Sequence, residues 1–242
     1  MKKFILPLLL LLAIGMLAAV ESEPSEVVGY FKVSVPQDSW VSVSYPFEIV
    51  SGTPTAIFGD NWDSTIDYEV TDMLFDPYSL TTANYYNGFG WDPNEDTYVQ
   101  AGHWYWINRT QPQANTDVYL VGKVNPQPIS LTMNGQGLGG WTPFAINDAA
   151  PISPELLGFV QTEPDWDNGI YDNIFCVTDN RMADYWGPDY GNWVAADGLP
   201  FLIEPTKTYL YYSNQASNWT WEYPSAGARV FTPSSLQNQR RK

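Results

Sequence analysis

Cysteine, histidine and basic residues are the scarce components of this 242-residue chain, which has one Cys, one His, and 11 Lys plus Arg against 27 Asp plus Glu. With Cys176 alone, no intramolecular disulfide can form, so packing has to hold the fold together. Cys176 sits in the short apolar stretch Ile174-Phe175-Cys176-Val177, which predicts a buried, inert thiol. One His and one Cys exclude most metal sites built from nitrogen and sulfur ligands. Ser-His-Asp catalysis would need His103, and no Gly-x-Ser-x-Gly elbow accompanies it. No Gly-rich phosphate loop follows a strand and opens a helix. A pair of carboxylates suits glycoside hydrolysis, but among so many acids some pair always falls at a suitable separation, so that pairing has no weight. The expectation is a protein that is not an enzyme.

The shortage of positive charge excludes partners as well. The formal net charge is −16, and the basic cluster Arg240-Arg241-Lys242 lies at the extreme C-terminus. Nucleic acid and anionic lipid need clustered Lys and Arg to neutralise phosphate. A cation or a neutral polar ligand suits this charge better.

Long apolar runs are also missing, apart from Phe4–Val20 behind Lys2 and Lys3. A basic start, a Leu-rich run and then small residues read as a cleavable secretory signal over 1–22 rather than an anchor. No Cys stands near the junction, which excludes a lipoprotein anchor. After cleavage no segment is apolar enough to span a membrane, and a secreted or cell-surface location is expected. Amphipathic helices are absent too. The nearest candidate, Ser153–Gly158, has Pro154 at the first helical position and makes no more than one turn. The 19 Pro and 18 Gly fall mostly between short apolar runs, the pattern of an all-β sandwich.

What the chain does have is an aromatic-rich internal repeat. Ala83-Asn84-Tyr85-Tyr86 and Ala183-Asp184-Tyr185-Trp186 each lead through a Gly-containing turn to a tryptophan, Trp91 or Trp193. Each copy then closes on an aromatic strand, Trp104-Tyr105-Trp106-Ile107 or Tyr209-Leu210-Tyr211-Tyr212. Trp40–Tyr45 alternates, with Val41, Val43 and Tyr45 on one face and Ser42 and Ser44 on the other, as a half-buried strand does. Its counterpart is Trp141–Ile146, with Thr142, Phe144 and Ile146 on the equivalent face. Asp72 and Phe75 align with Asp172 and Phe175, and Trp62-Asp63 with Trp166-Asp167. The reading is two tandem small β-sandwich units, 27–124 and 129–233, joined by a Pro-stiffened linker at Lys123–Pro128. A further strand begins at Arg229-Val230-Phe231, and 234–242 forms a basic tail.

Along Trp104–Ile107 the indoles of Trp104 and Trp106 share one face, while Tyr105 and Ile107 share the other. Most of these aromatics are expected in the core. The turn aromatics Trp62, Trp91, Trp166 and Trp193 are expected to be partly exposed, and with Tyr86 and Trp186 they are the candidate ligand-binding residues. Exposed indoles stack on sugar rings, so a glycan is one candidate partner. The loop Asp165-Trp166-Asp167-Asn168-Gly169, with Asp172, is the closest approach to a set of hard oxygen ligands, and calcium is the cation it suits. The same residues also populate ordinary turns, because Asx side chains bond their own backbone. The loop lacks the spacing and later Glu of an EF-hand.

Trp40-Val41-Ser42-Val43-Ser44-Tyr45-Pro46, then Trp91, then Gly102-His103-Trp104-Tyr105-Trp106-Ile107 resembles a module common in bacterial exported proteins. There, a strand of the form G-W-N-x-I-S-x-P is followed by a closing strand of the form L-x-P-G-x-G-Y-W-I. Gly140-Trp141, Trp193 and Leu202–Tyr209 are similar to a second copy. The chain departs from that pattern at Ala101-Gly102-His103 and Pro205-Thr206-Lys207, which stand in place of P-G-x-G. The resemblance implies a β fold and an accessory role at the cell surface or outside the cell, with no catalytic residues to carry over. The function expected is structural, assembly or protein-binding, with self-association or a protein partner. Carbohydrate binding through exposed turn tryptophans is the alternative.

Overall fold

The computed structural model describes residues 28–59, 61–67, 69–92, 99–110, 117–124, 128–136, 140–148 and 150–223. The signal segment 1–22, the strand at Arg229–Phe231 and the tail 234–242 lie outside the described residues. Among those described, the chain is all-β. In order it forms β1 (Val28–Ser34), β2 (Trp40–Ser44), a single-turn α1 (Pro54–Phe58), β3 (Met73–Asp76), β4 (Thr81–Tyr86), β5 (Gly90–Trp91), β6 (Trp104–Asn108) and β7 (Asp117–Lys123). It continues with β8 (Ile129–Met133), β9 (Trp141–Phe144), β10 (Asn173–Cys176), β11 (Arg181–Tyr185), β12 (Trp193–Ala195), β13 (Tyr209–Tyr212) and β14 (Trp219–Tyr223). The turn expected near Ser153 is a 3₁₀ turn over Pro154–Leu156.

These strands make two pairs of sheets. The first pair is the ribbon β1-β7 and the five-stranded sheet β2-β6-β3-β4-β5. The second is the ribbon β8-β14 and the sheet β9-β13-β10-β11-β12, the same order with every strand number raised by seven. All the pairings between these strands are antiparallel.

Period-two alternation explains why each ribbon packs on its sheet. In the first half Val118 and Leu120 of β7 face Val43, Leu74, Ala83, Tyr85, Tyr105 and Ile107 of the larger sheet in one buried cluster. In the second half Ile129, Leu131 and Met133 of β8 and Trp221 and Tyr223 of β14 meet Phe144, Ile174, Cys176, Tyr209 and Tyr211. Each fully buried aliphatic side chain contributes roughly 1.5–3 kcal/mol. Aromatic edges fill the second core, with Phe159 stacked on Tyr211 at 4.3 Å and Phe144 edge-on to Trp221 at 5.6 Å. Cys176 is buried, and burial pushes its thiol up to about 11, so it behaves as a small hydrophobe.

Polar groups repeat from half to half as closely as apolar ones. The hydroxyl of Tyr105 accepts from the Gln100 amide at 2.9 Å, and that of Tyr209 from the Glu204 amide at 2.8 Å. Asp72 and Asp172 are both fully buried, and their carbonyls accept from the Tyr85 and Tyr185 amides, each at 2.9 Å.

The halves also touch directly. The Trp104 indole donates to the Tyr209 carbonyl at 3.1 Å, and the Thr208 hydroxyl donates to Ser42 Oγ at 2.7 Å. The Ser44 amide reaches the Thr206 carbonyl at 3.4 Å, and the Ala145 amide reaches the Gly102 carbonyl at 2.8 Å. This junction buries Ser42, Ser44 and Trp104, which the alternation alone would have left facing water.

Candidate functional site

Three of the four turn tryptophans expected at the surface are in the core. Trp62 and Trp91 are each 5% exposed and Trp193 is 7% exposed. β5 and β12 turn their tryptophans inward opposite Tyr85 and Tyr185. The Trp91 indole donates to the Gly59 carbonyl at 3.1 Å, and that of Trp62 to the Phe58 carbonyl at 3.1 Å. The Arg109 guanidinium, itself buried, lies 4.6 Å from the Trp62 ring centre. Trp193 packs against Tyr185 at 5.4 Å. Tyr86 and Trp186, on the opposite parity, are half-buried on the outer face.

Trp166 differs from the other three. It is 46% exposed and gathers Tyr171, Trp186 and Tyr190 at 5.4, 5.8 and 5.2 Å. It is no counterpart of Trp62. The Asp63 amide donates to Asp72 Oδ2 at 3.0 Å, and in the second half the Thr162 amide takes that place on Asp172 Oδ2 at 2.6 Å. Trp166-Asp167 therefore belongs to a loop that extends further outward.

The four residues proposed for calcium do not converge. Asp172 turns its carboxylate into the core, where Oδ1 accepts from the Asn214 amide at 2.7 Å and Oδ2 also accepts from the Tyr211 hydroxyl at 3.0 Å. Asp165 accepts from the Asn168 side chain at 2.7 Å and its amide at 3.2 Å, bonds that hold the Asp165 carboxyl below the usual carboxylate range. Asp167 is exposed. Among the described residues no three His, Cys, Asp or Glu are grouped to hold a metal ion. His103 stacks on Tyr78 at 3.7 Å, and burial holds its imidazole below its ordinary value despite the opposing charge of Asp76.

Two concave surfaces among the described residues lie on the outer faces of the five-stranded sheets. On the first, Trp40, Met73, Phe75, Thr82 and Trp106 line an open groove of about 460 Å³. The register puts Phe75 between Trp106 and Thr82, with Met73 one pleat along, so four strands contribute to one surface. On the second, Gln136, Tyr171, Asn173, Asp184, Tyr212 and Asn214 line a pocket of about 370 Å³, with Gly169, Ile170 and Met182 completing it. Strand pairing makes Asn173 the counterpart of Met73, while Phe175, Leu210 and Met182 answer Phe75, Trp106 and Thr82, so the second face differs from the first chiefly in the polar group at Asn173. Of this set only Asp184 and Tyr212 belonged to motifs legible as a repeat.

Comparison with protein-family models, with curated proteins and with solved structures yields no significant match. Among the described residues, no helix is long and apolar enough to cross a membrane.

Proposed function

We propose that this is a non-catalytic exported protein, built from two copies of one β unit, whose first half binds another protein surface, a second copy of this chain foremost. The observation that supports this reading is the apolar outside of the first half. On one side stands the groove, where Trp40 is 47% exposed beside Trp106, Phe75 and Met73. On the other, the outer face of the β1-β7 ribbon shows Val28, Tyr30, Tyr119 and Val121, with Tyr30 directly opposite Val121. The corresponding ribbon face in the second half is Ser130, Thr132, Thr220 and Glu222. Apolar side chains gathered on two faces of the first half, with the ribbon face polar in the second half, support an interaction surface there.

Association is assigned to faces because the edges of the larger sheets are blunted. β5 has two residues, β12 has three, β9 carries Pro143, and the far end of β2 lies against the second half through Ser44. Sedimentation velocity over a concentration series tests the reading. The intact protein is expected to self-associate. Trp40→Ser with Phe75→Ser, or Tyr30→Ser with Val121→Ser, should weaken association tenfold or more without lowering Tm appreciably. A protein that stays monomeric at the highest concentration overturns the proposal.

A further inference from the structure

We propose that the pocket on the outer face of the second five-stranded sheet binds a neutral polyhydroxylated ring, one sugar residue of a glycan chain, through Asn173, Asp184, Asn214 and the ring of Tyr212. This site is separate from the apolar groove of the first half, and neither reading depends on the other.

The chemistry of the lining selects the ligand. Asn173, Tyr212 and Asp184 are neighbours across three strands, the register pairing Asn173 with both of the others. Asn173 donates to Asp184 Oδ1 at 2.6 Å, which fixes the two side chains relative to each other. Asn214 follows β13, anchored by its own amide to the buried Asp172. Its side chain lines the pocket, yet Oδ1 and Nδ2 are both closed to solvent and have no hydrogen-bond partner among the described residues. No hydrogen bond to those residues therefore holds that amide back from turning toward a ligand. An amide offers a donor and an acceptor side by side, the complement of two adjacent hydroxyls. Among the described residues that line it there is no Lys or Arg, which in a chain of net charge −16 argues against a phosphate, sulfate or uronate. One carboxylate, already accepting from Asn173, is too few oxygens for a hard cation.

Size and surroundings agree with this class. The pocket volume of about 370 Å³ lies in the range of small-molecule sites, roughly 300–1,000 Å³. Tyr212 is tilted against Trp141 at 5.1 Å, which braces its ring as a platform for C–H faces. Tyr171, on the pocket wall, leads to the exposed Trp166 cluster, so a second ring of the same chain has aromatic surface beside the first. The equivalent positions in the first half are Met73 for Asn173 and Asn108 for Tyr212, a substitution that removes this chemistry there.

Titration of the full chain with neutral hexasaccharides of glucose (α- and β-1,4-linked), xylose, mannose and N-acetylglucosamine tests the assignment, followed by calorimetry and tryptophan fluorescence. At least one is expected to bind saturably. Asn214→Ala and Asp184→Ala should each weaken it tenfold or more, Trp40→Ser should leave it unchanged, and polygalacturonate should fail to compete. Met182→Arg, at a position already exposed, should block the pocket and serves if Asn214→Ala does not fold. No saturable signal from any hexasaccharide overturns the proposal. So does wild-type affinity in the pocket variants, or equal binding of polygalacturonate.

Discussion

Asp72 and Asp172 show how much one buried side chain can organise. Each carboxylate gathers backbone amides from two separate loops, Asp63 and Thr110 in the first half, Thr162 and Asn214 in the second. Asp72 also faces the buried Arg109, whose guanidinium burial pulls down and the Asp72 charge pulls back up. Removing one member of such a set leaves the others desolvated and unmatched. Asp72→Ala and Asp172→Ala are each expected to cost about 3–5 kcal/mol in urea denaturation. His103 gives a pH signature. Its folded-state value lies below the ordinary one near 6.5, so the unfolded chain takes up a proton that the folded chain resists. That stability is present above about pH 6.5 and is lost as the pH falls below it. His103→Phe, which retains a ring against Tyr78, should flatten the fall in Tm between about pH 7 and 5. The alignment of Asp72 with Asp172 was legible in the sequence. Their role was not, because it depends on amides 38 and 42 residues further along the chain.

Strands were the most legible elements. Alternation put Val43 on the apolar face of its strand, Phe144 on the equivalent face and Tyr105 on one face with Ile107, and all four are buried. It failed at Ser42 and Ser44, which are covered by the second half rather than by their own sandwich. It failed at the turn tryptophans for a related reason. Whether a loop indole is exposed depends on which distant carbonyl its N–H meets, as with Trp91 and Gly59. The pocket was harder still to foresee, since Gln136, Asn173, Asp184 and Asn214 come from four separate segments. The two places where the chain departs from the P-G-x-G pattern, Ala101–His103 and Pro205–Lys207, both supply junction contacts. Gly102 is the sharpest of these. Its φ is +82°, and a Cβ there would fall 2.3 Å from Ile129 Cγ2 of the second core. Gly102→Ala is therefore expected to lower Tm by several degrees and to raise protease sensitivity near the Lys123–Pro128 segment. Gly59→Ala, at φ +72° with nothing nearby, should show the backbone strain alone.

At the scale of the molecule, two sheet pairs share one strand order and carry different side chains on it. Some core positions keep their volume, Leu74 against Ile174 and Ala83 against Ala183, while others change it, Ile107 against Tyr211 and Val43 against Phe144, so each core reaches dense packing in its own way. Outward positions are packed on one side only, and they differ too, Met73 against Asn173 and Thr82 against Met182. The charge of −16 belongs to the same layer, since it bears on solubility and partner choice rather than on the fold. The junction then acquires a meaning of its own. Because Trp104 hydrogen-bonds to the backbone of the neighbouring closing strand, the two outer surfaces ride on a brace rather than a tether. If both surfaces bind as proposed, whatever one grips is kept at a set span from whatever the other grips, and the pair works as a calliper, with no slack in which effective concentration could be lost.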